Sequence, residues 1–129
     1  MTEVVTGLHA VTLHITDVQK ARTFYGDVLG LREIGFNEKM NRLVFALPGT
    51  PVILTMHIQA PGEGGREPGT VSGIVFEHPD PYAACVEIKR RGGTVTFEPT
   101  DVEVGGVKFV RAVFADPDGN EFMISNRKD

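Results

Sequence analysis

Two histidines, His14 and His57, occur in segments where apolar and polar side chains alternate. Alternate side chains of a β-strand point to opposite faces of its sheet, so the apolar set is expected in the core and both histidines on the other face. The same alternation puts two carboxylates, Glu77 and Glu121, on the non-core faces of later strands. Imidazoles and carboxylates bind divalent metals, transfer protons and hydrogen-bond to polar ligands. The pattern therefore predicts a polar site on the strand faces that do not pack on the helices, with more than one chemistry open to it.

Nine side chains share these faces and form the predicted ligand-binding set: Thr12, His14, Thr55, His57, Val75, Glu77, Arg111, Glu121 and Met123. His57 and His14 are also the candidate catalytic residues, as hydrogen-bonding or proton-transfer groups for a bound organic molecule. The alternative for each is a structural histidine, hydrogen-bonded at the rim of the site. Met123 and its aliphatic neighbours predict a pliable wall suited to an apolar or aromatic ligand.

Arg111 stands in the middle of an otherwise apolar strand, where a cation is costly unless it meets an anion. We expect it to pair with a nearby carboxylate such as Glu121 or Glu103. The alternative is that it clamps a carboxylate of the ligand.

One stretch, Leu8 to Leu31, contains every signal of a strand followed by a helix. Asp17 is a good N-cap, because its carboxylate accepts hydrogen bonds from the free N–H groups of the first turn. Apolar residues then recur at helical spacing up to Leu29. Gly30 stands where a left-handed residue ends a helix, and Leu31 supplies the closing hydrophobic contact.

This unit occurs twice, because one constant offset aligns Asp17 with Asp80, Ala21 with Ala84 and Gly30 with Gly93. Three strand patterns follow each helix, near residues 33–36, 42–47 and 51–59 and near 94–98, 107–114 and 121–125. The sequence thus predicts an α+β fold of two tandem βαβββ modules in a single domain, module 1 at about 5–59 and module 2 at about 71–127. Residues 60–70 are rich in Gly and Pro and are interpreted as a linker, with a functional loop over the site as the alternative.

Composition excludes several function classes. The net charge is −4 and there is no basic stripe, which argues against nucleic acid as a partner. No segment has the apolar length of a membrane helix, and the first residues lack the pattern of a signal peptide. The single cysteine, Cys85, lies on the apolar stripe of the second helix and is interpreted as a small core residue. We therefore expect a cytoplasmic protein with no membrane partner.

Two segments carry a family resemblance: HAVTLHITDVQKARTFYGDVLGL near the start and FADPDGNEFMI near the end. Together with the tandem repeat, they resemble the vicinal oxygen chelate superfamily, which includes glyoxalase I, extradiol dioxygenases and bleomycin resistance proteins. The resemblance implies two curved sheets around a cleft, formed within one chain or between two. It also implies a homodimer, the usual state of small members.

The resemblance further implies a divalent metal in the cleft, held by His or Glu on the first and last strands of each module. In this chain those positions fall on Ala10, Gly73, Met123 and either Ile53 or Thr55. These residues offer no imidazole or carboxylate, so we predict that the usual metal site is absent and that no cofactor is needed. A displaced site using His14, His57 and one of Glu77 or Glu121 is the alternative, with a divalent metal as its cofactor.

We therefore expect a protein that binds a small organic ligand, such as an aromatic or antibiotic-like compound, without the family's metal. One alternative is a glyoxalase-like lyase or isomerase, or a dioxygenase, that uses a displaced metal or metal-free acid–base chemistry. A structural or regulatory module with a filled cleft is the third class.

Overall fold

The computed structural model describes residues 4–60, 62–64 and 67–128 of the chain. Two copies of one strand and helix order follow each other, which confirms the predicted fold class. The first copy comprises β1 (Ala10–Ile15), α1 (Val18–Ala21) with its π-helical continuation (Arg22–Val28), β2 (Arg32–Asn37), β3 (Arg42–Ala46) and β4 (Ile53–Ile58). The second comprises β5 (Ile74–Glu77), α2 (Pro81–Arg90), β6 (Thr94–Val104), β7 (Val107–Ala115) and β8 (Glu121–Ser125).

Each copy forms its own four-stranded sheet, in the order β1-β4-β3-β2 and β5-β8-β7-β6. The first strand of each module is parallel to the last, and the other neighbours are antiparallel. β1 and β5 are therefore edge strands that occupy equivalent places in the repeat.

Both helices begin as predicted. The Asp17 carboxylate accepts a hydrogen bond from the Lys20 N–H at 3.0 Å, and Asp80 accepts one from the Ala83 N–H at 3.2 Å. Pro81 stands at the start of α2, where its missing N–H costs nothing. Gly30 has a φ of 76°, the left-handed conformation expected at a helix end.

Two features of the strands and helices differ from the sequence prediction. The second half of the first helix is π-helical, with the Leu29 N–H bonded to the Phe24 carbonyl at 3.0 Å. Strand β6 extends to Val104 instead of ending near Glu98, and its register shifts between Phe97 and Thr100. The shift surrounds Pro99, which lacks the N–H of a regular ladder and is accommodated at a bulge.

One core lies between the two sheets, and the first helix passes through it. The Tyr25 ring is fully buried and contacts Phe45 of β3 at 5.9 Å and Phe122 of β8 at 6.0 Å between ring centroids. Its neighbour Phe24 contacts Phe114 of β7 at 6.2 Å. Both sheets therefore turn their apolar faces to the same helix. Their opposite faces point away from each other.

A turn at residues 116–120 fastens module 2 to module 1. The Tyr25 hydroxyl donates to Asp116 at 2.6 Å, and the Asn120 amide donates to the His14 carbonyl at 3.2 Å. Burial, followed by the negative charge of Asp116, raises the pKa of Tyr25. The Asp116 carboxylate also accepts from Asn120, so the buried charge is satisfied. These contacts make residues 116–120 a structural turn that joins the modules.

Within the described residues, none of the helices has the length and apolar character needed to cross a bilayer.

Candidate functional site

The outward face of the first sheet carries a graded set of side chains, which we call the imidazole face. The strand register aligns three rows across β1, β4 and β3. The rows change from apolar to hydroxyl-bearing to basic: Ala10, Ile53 and Ala46; then Thr12, Thr55 and Val44; then His14, His57 and Arg42. Since rows two residues apart are separated by about 6.6 Å along a strand, the gradient spans about 13 Å.

His57 is held by a carboxylate from the segment between the modules. Its Nε2 lies 2.7 Å from Oε2 of Glu63. The Gln59 side-chain amide donates to the backbone carbonyls of Glu63 at 3.1 Å and Gly64 at 3.2 Å, which holds these two residues beside the sheet. The hydrogen bond from His57 lowers the pKa of Glu63, so the carboxylate is ionised and accepts.

His14 lies next to His57 but makes no equivalent bond. The two rings meet edge to face with centroids 5.7 Å apart. The Nδ1 atom of His14 is buried and has no hydrogen-bond partner among the described residues. In the next row, the Thr12 and Thr55 hydroxyls bond to each other at 2.7 Å. The hydrogen-bonding atoms of this face that have no described protein partner therefore lie mainly at the histidines.

The outward face of the second sheet, which we call the methionine face, has the same three-row plan with different chemistry. Its central row is apolar and consists of Val75, Met123 and Val113, and the row beyond it holds Glu77, Ser125 and Arg111. A shallow depression of about 470 Å³ lies over this face and includes Val75, Glu77 and Met123 in its lining. Glu121 is exposed at the start of β8.

Arg111 does not form the expected ion pair. Among the described residues no carboxylate lies within salt-bridge distance of its guanidinium, so pairing with Glu121 or Glu103 was the wrong expectation. Instead its guanidinium lies 5.3 Å from the centroid of the Phe97 ring, and its buried Nε has no hydrogen-bond partner there. A weakly hydrated guanidinium is stabilised over an aromatic face, which lets the strand tolerate a cation without a counter-ion.

The predicted site residues thus fall into two groups. Thr12, His14, Thr55 and His57 meet on the imidazole face, whereas Val75, Glu77, Arg111, Glu121 and Met123 meet on the methionine face. Within one chain these faces point in opposite directions. The displaced metal site of His14, His57 and Glu77 or Glu121 is therefore not assembled within a chain. In the described part of the chain, no three His, Cys, Asp or Glu side chains are placed to hold a metal ion together.

The family's own metal positions can also be tested against the strand register. In module 2, Met123 pairs with Val75, which stands two residues after Gly73. The equivalent residue of β1 is Thr12, two residues after Ala10. The β4 residue that pairs with Thr12 is Thr55, not Ile53. The four positions are then Ala10, Thr55, Gly73 and Met123, and the single oxygen among them bonds to Thr12. This donor set does not fit a divalent metal.

Sequence patterns did not predict two charged groups beside His57, those of Glu63 and Arg42. Glu63 lies in the predicted linker, which has no periodic pattern of apolar residues from which a side-chain direction could be predicted. The available signals were its spacing of six residues from His57 and the alternative reading of the segment as a functional loop. Arg42 stands at the start of a strand that was predicted correctly, and only the register places it beside His57.

Comparison with known proteins agrees with this fold. The model of the Glyoxalase/Bleomycin resistance protein/Dioxygenase superfamily matches residues 7–124. A superfamily member from Sphaerobacter thermophilus is similar in structure, with a TM-score of 0.79 and 28% identity over 95% of this chain and 98% of that one. TnmS3, an antibiotic binding protein from Streptomyces sp. CB03234, has a TM-score of 0.78 and 23% identity, over 95% of this chain and 97% of that one.

A third similar structure is a virulence protein from Salmonella typhimurium, with a TM-score of 0.73 and 22% identity over 95% of this chain and 98% of that one. No curated protein sequence matches the chain. The family model covers nearly the whole sequence, and the tandem sheets agree with it. The chain belongs to the glyoxalase/bleomycin resistance protein/dioxygenase superfamily.

Proposed function

We propose that this protein binds a small organic molecule without the divalent metal of its superfamily. The observation that carries the proposal is the donor set at the metal positions, where Ala10, Thr55, Gly73 and Met123 supply no imidazole or carboxylate. The surrounding faces keep both an apolar wall and a few hydrogen-bonding groups, which is the usual composition of a site for an organic ligand.

The ligand site is proposed to form between two copies of the chain, the imidazole face of one against the methionine face of the other. The two faces point away from each other within a chain, so neither is covered by the other sheet. Val75 and Phe97 on the methionine face are 55% and 44% exposed, and Val4 and Leu8 before β1 are 96% and 67% exposed. Apolar side chains grouped beside open faces indicate an interaction surface. A homodimer would cover them and would place edge strands β1 and β5 side by side.

The comparisons support an organic ligand of the antibiotic type. TnmS3 has the same fold and is described as an antibiotic binding protein. At 23% identity the likeness concerns the fold, so the ligand class here rests mainly on the two faces.

Metal content and oligomeric state test the proposal. Protein purified without chelator is expected to contain well under one divalent metal per chain. Nickel, zinc, manganese and ferrous ions are expected to leave its thermal midpoint unchanged, whereas members of an aromatic and antibiotic panel raise it. Light scattering is expected to give twice the chain mass. Stoichiometric metal with a metal-dependent rise in midpoint would overturn the metal-free part, and a monomer would overturn the shared cleft.

A second candidate function is metal-free acid–base catalysis, as a lyase or isomerase, and the His57–Glu63 pair favours it. A histidine oriented by a carboxylate is a common proton-transfer arrangement. The distinguishing measurement is solvent deuterium exchange into panel ligands: exchange that is lost in His57→Gln supports catalysis, and binding without exchange supports a binding protein.

A further inference from the structure

The polar end of the imidazole face has a defined hydrogen-bonding state. Glu63 is ionised and can only accept, so the 2.7 Å contact requires a proton on Nε2 of His57. In the neutral ring the lone pair then lies on Nδ1. The hydrogen-bond network thus assigns one tautomer to His57, in which the remaining nitrogen is an acceptor.

The groups around His57 favour a ligand oxygen that gives up a proton. His14 faces it from β1, Arg42 from β3 and Glu63 from the segment after β4. Neither the Arg42 guanidinium nor Nδ1 of His14 has a hydrogen-bond partner among the described residues. The Arg42 guanidinium stabilises a negative charge that develops on a ligand oxygen, and Glu63 stabilises the positive charge that forms on His57.

The rest of the face determines the shape of such a ligand. The row of Ala10, Ile53 and Ala46 offers small and aliphatic side chains at the far end of the gradient. A planar apolar body of two or three fused rings fits between the two ends, since the gradient spans about 13 Å.

Resting on the proposed function, we infer that this face selects ligands with an acidic hydroxyl, a phenol or an enol, on an apolar or aromatic body, and that Glu63 is the positioning residue for their recognition. The hydroxyl donates to Nδ1 of His57. When the proton passes to the ring, the ligand O–H bond breaks, an N–H bond forms, and an oxyanion remains beside Arg42.

The experiment compares 7-hydroxycoumarin with its methyl ether, 7-methoxycoumarin. Wild type is expected to bind the hydroxy compound about tenfold tighter, and the bound hydroxyl should ionise about one pH unit below the free compound, as read from the excitation spectrum. Glu63→Gln should reduce the preference to about twofold and return the ionisation to its free value. Glu63→Asp keeps the charge and should restore part of both effects.

Glu67→Gln is the matched control, because Glu67 lies in the same segment and its contact to Thr70 uses only the backbone carbonyl. It is expected to behave as wild type. The thermal midpoint of each variant shows that it is folded. Equal binding of the two coumarins, or a Glu63→Gln profile like that of wild type, overturns the inference and leaves the proposed function standing. Binding of neither coumarin overturns the ligand class, and the proposed function is then judged by its own metal, oligomer and panel measurements.

Discussion

The imidazole face and the methionine face occupy equivalent places in the repeat, yet their charged side chains have different kinds of partner. Each has an arginine on its third strand, Arg42 and Arg111, in the row farthest from the metal positions. On the imidazole face the adjacent His57 is tied to Glu63, whereas on the methionine face Arg111 lies over the Phe97 ring. One face is thus organised by a hydrogen-bonded carboxylate and the other by an aromatic contact. The two faces thus share a strand plan but differ in how their charged groups are stabilised.

The largest expected effect on stability comes from substituting Tyr25, whose ring packs against both sheets. Tyr25→Ala removes the ring between Phe45 and Phe122 and leaves Asp116 without its hydroxyl donor. We expect a loss of about 3–5 kcal/mol in the free energy of unfolding, in a single transition. Urea denaturation followed by circular dichroism measures it. Tyr82→Ala is the control, since that side chain is 48% exposed. Two separate transitions in Tyr25→Ala would show that the sheets do not share one core.

Restoring metal donors tests whether the two faces meet. The triple variant Ala10→His, Thr55→Glu and Met123→Glu places two donors on one face and one on the other. If the faces of two copies form one cleft, nickel or zinc at a hundredfold excess over its dissociation constant should stabilise the variant by about 2.7 kcal/mol. The double variant without Met123→Glu should gain clearly less. Equal metal stabilisation of the two variants would show that the methionine face does not contribute.

A substitution of Arg111 tests whether the aromatic contact is enough to stabilise the cation on the methionine face. Arg111→Met deletes a charge whose only described partner is an aromatic ring, so we expect the free energy of unfolding to change by no more than about 1 kcal/mol. Urea denaturation measures this. A loss of several kcal/mol would mean that Arg111 is held by more than Phe97.

The smallest expected effect is a pH dependence from Glu63. Because His57 lowers the pKa of this carboxyl in the folded state, its stabilising contribution is present above the ordinary glutamate pKa. The contribution is lost as the pH falls through the folded value. The stability difference between wild type and Glu63→Gln should therefore vanish in acid. On α2, Arg90 and Arg91 hold the pKa of Glu87 at about 2, so the corresponding difference for Glu87→Gln should persist to lower pH.

Local signals accounted for most of the fold. Asp17, Asp80 and Gly30 mark helix ends through their own backbone or side-chain chemistry, so a single sequence suffices to place them. Alternation placed His14 and His57 on one face for the same reason. The continuation of β6 past Pro99 was missed because it depends on a bulge and on pairing with β7.

The parts of the site that were missed depend on contacts distant in sequence or in register. His57 meets Glu63 where the Gln59 amide bonds to the backbone carbonyls of Glu63 and Gly64, a contact that strand periodicity does not report. Arg111 was assigned a carboxylate partner because charge balance is the usual rule, and no pattern in the sequence points to Phe97. The opposite direction of the two faces follows from packing around Tyr25, which strand periodicity does not report.

The hydrogen bond from Tyr25 to Asp116 joins the two modules, so it bears on whether either module can fold alone. Either half of the repeat, isolated as a small domain, would carry half of a buried polar contact and an uncovered aromatic surface. Fragments cut between residues 60 and 70 are thus expected to remain unfolded alone and to regain structure when mixed. The two modules are therefore expected to fold cooperatively.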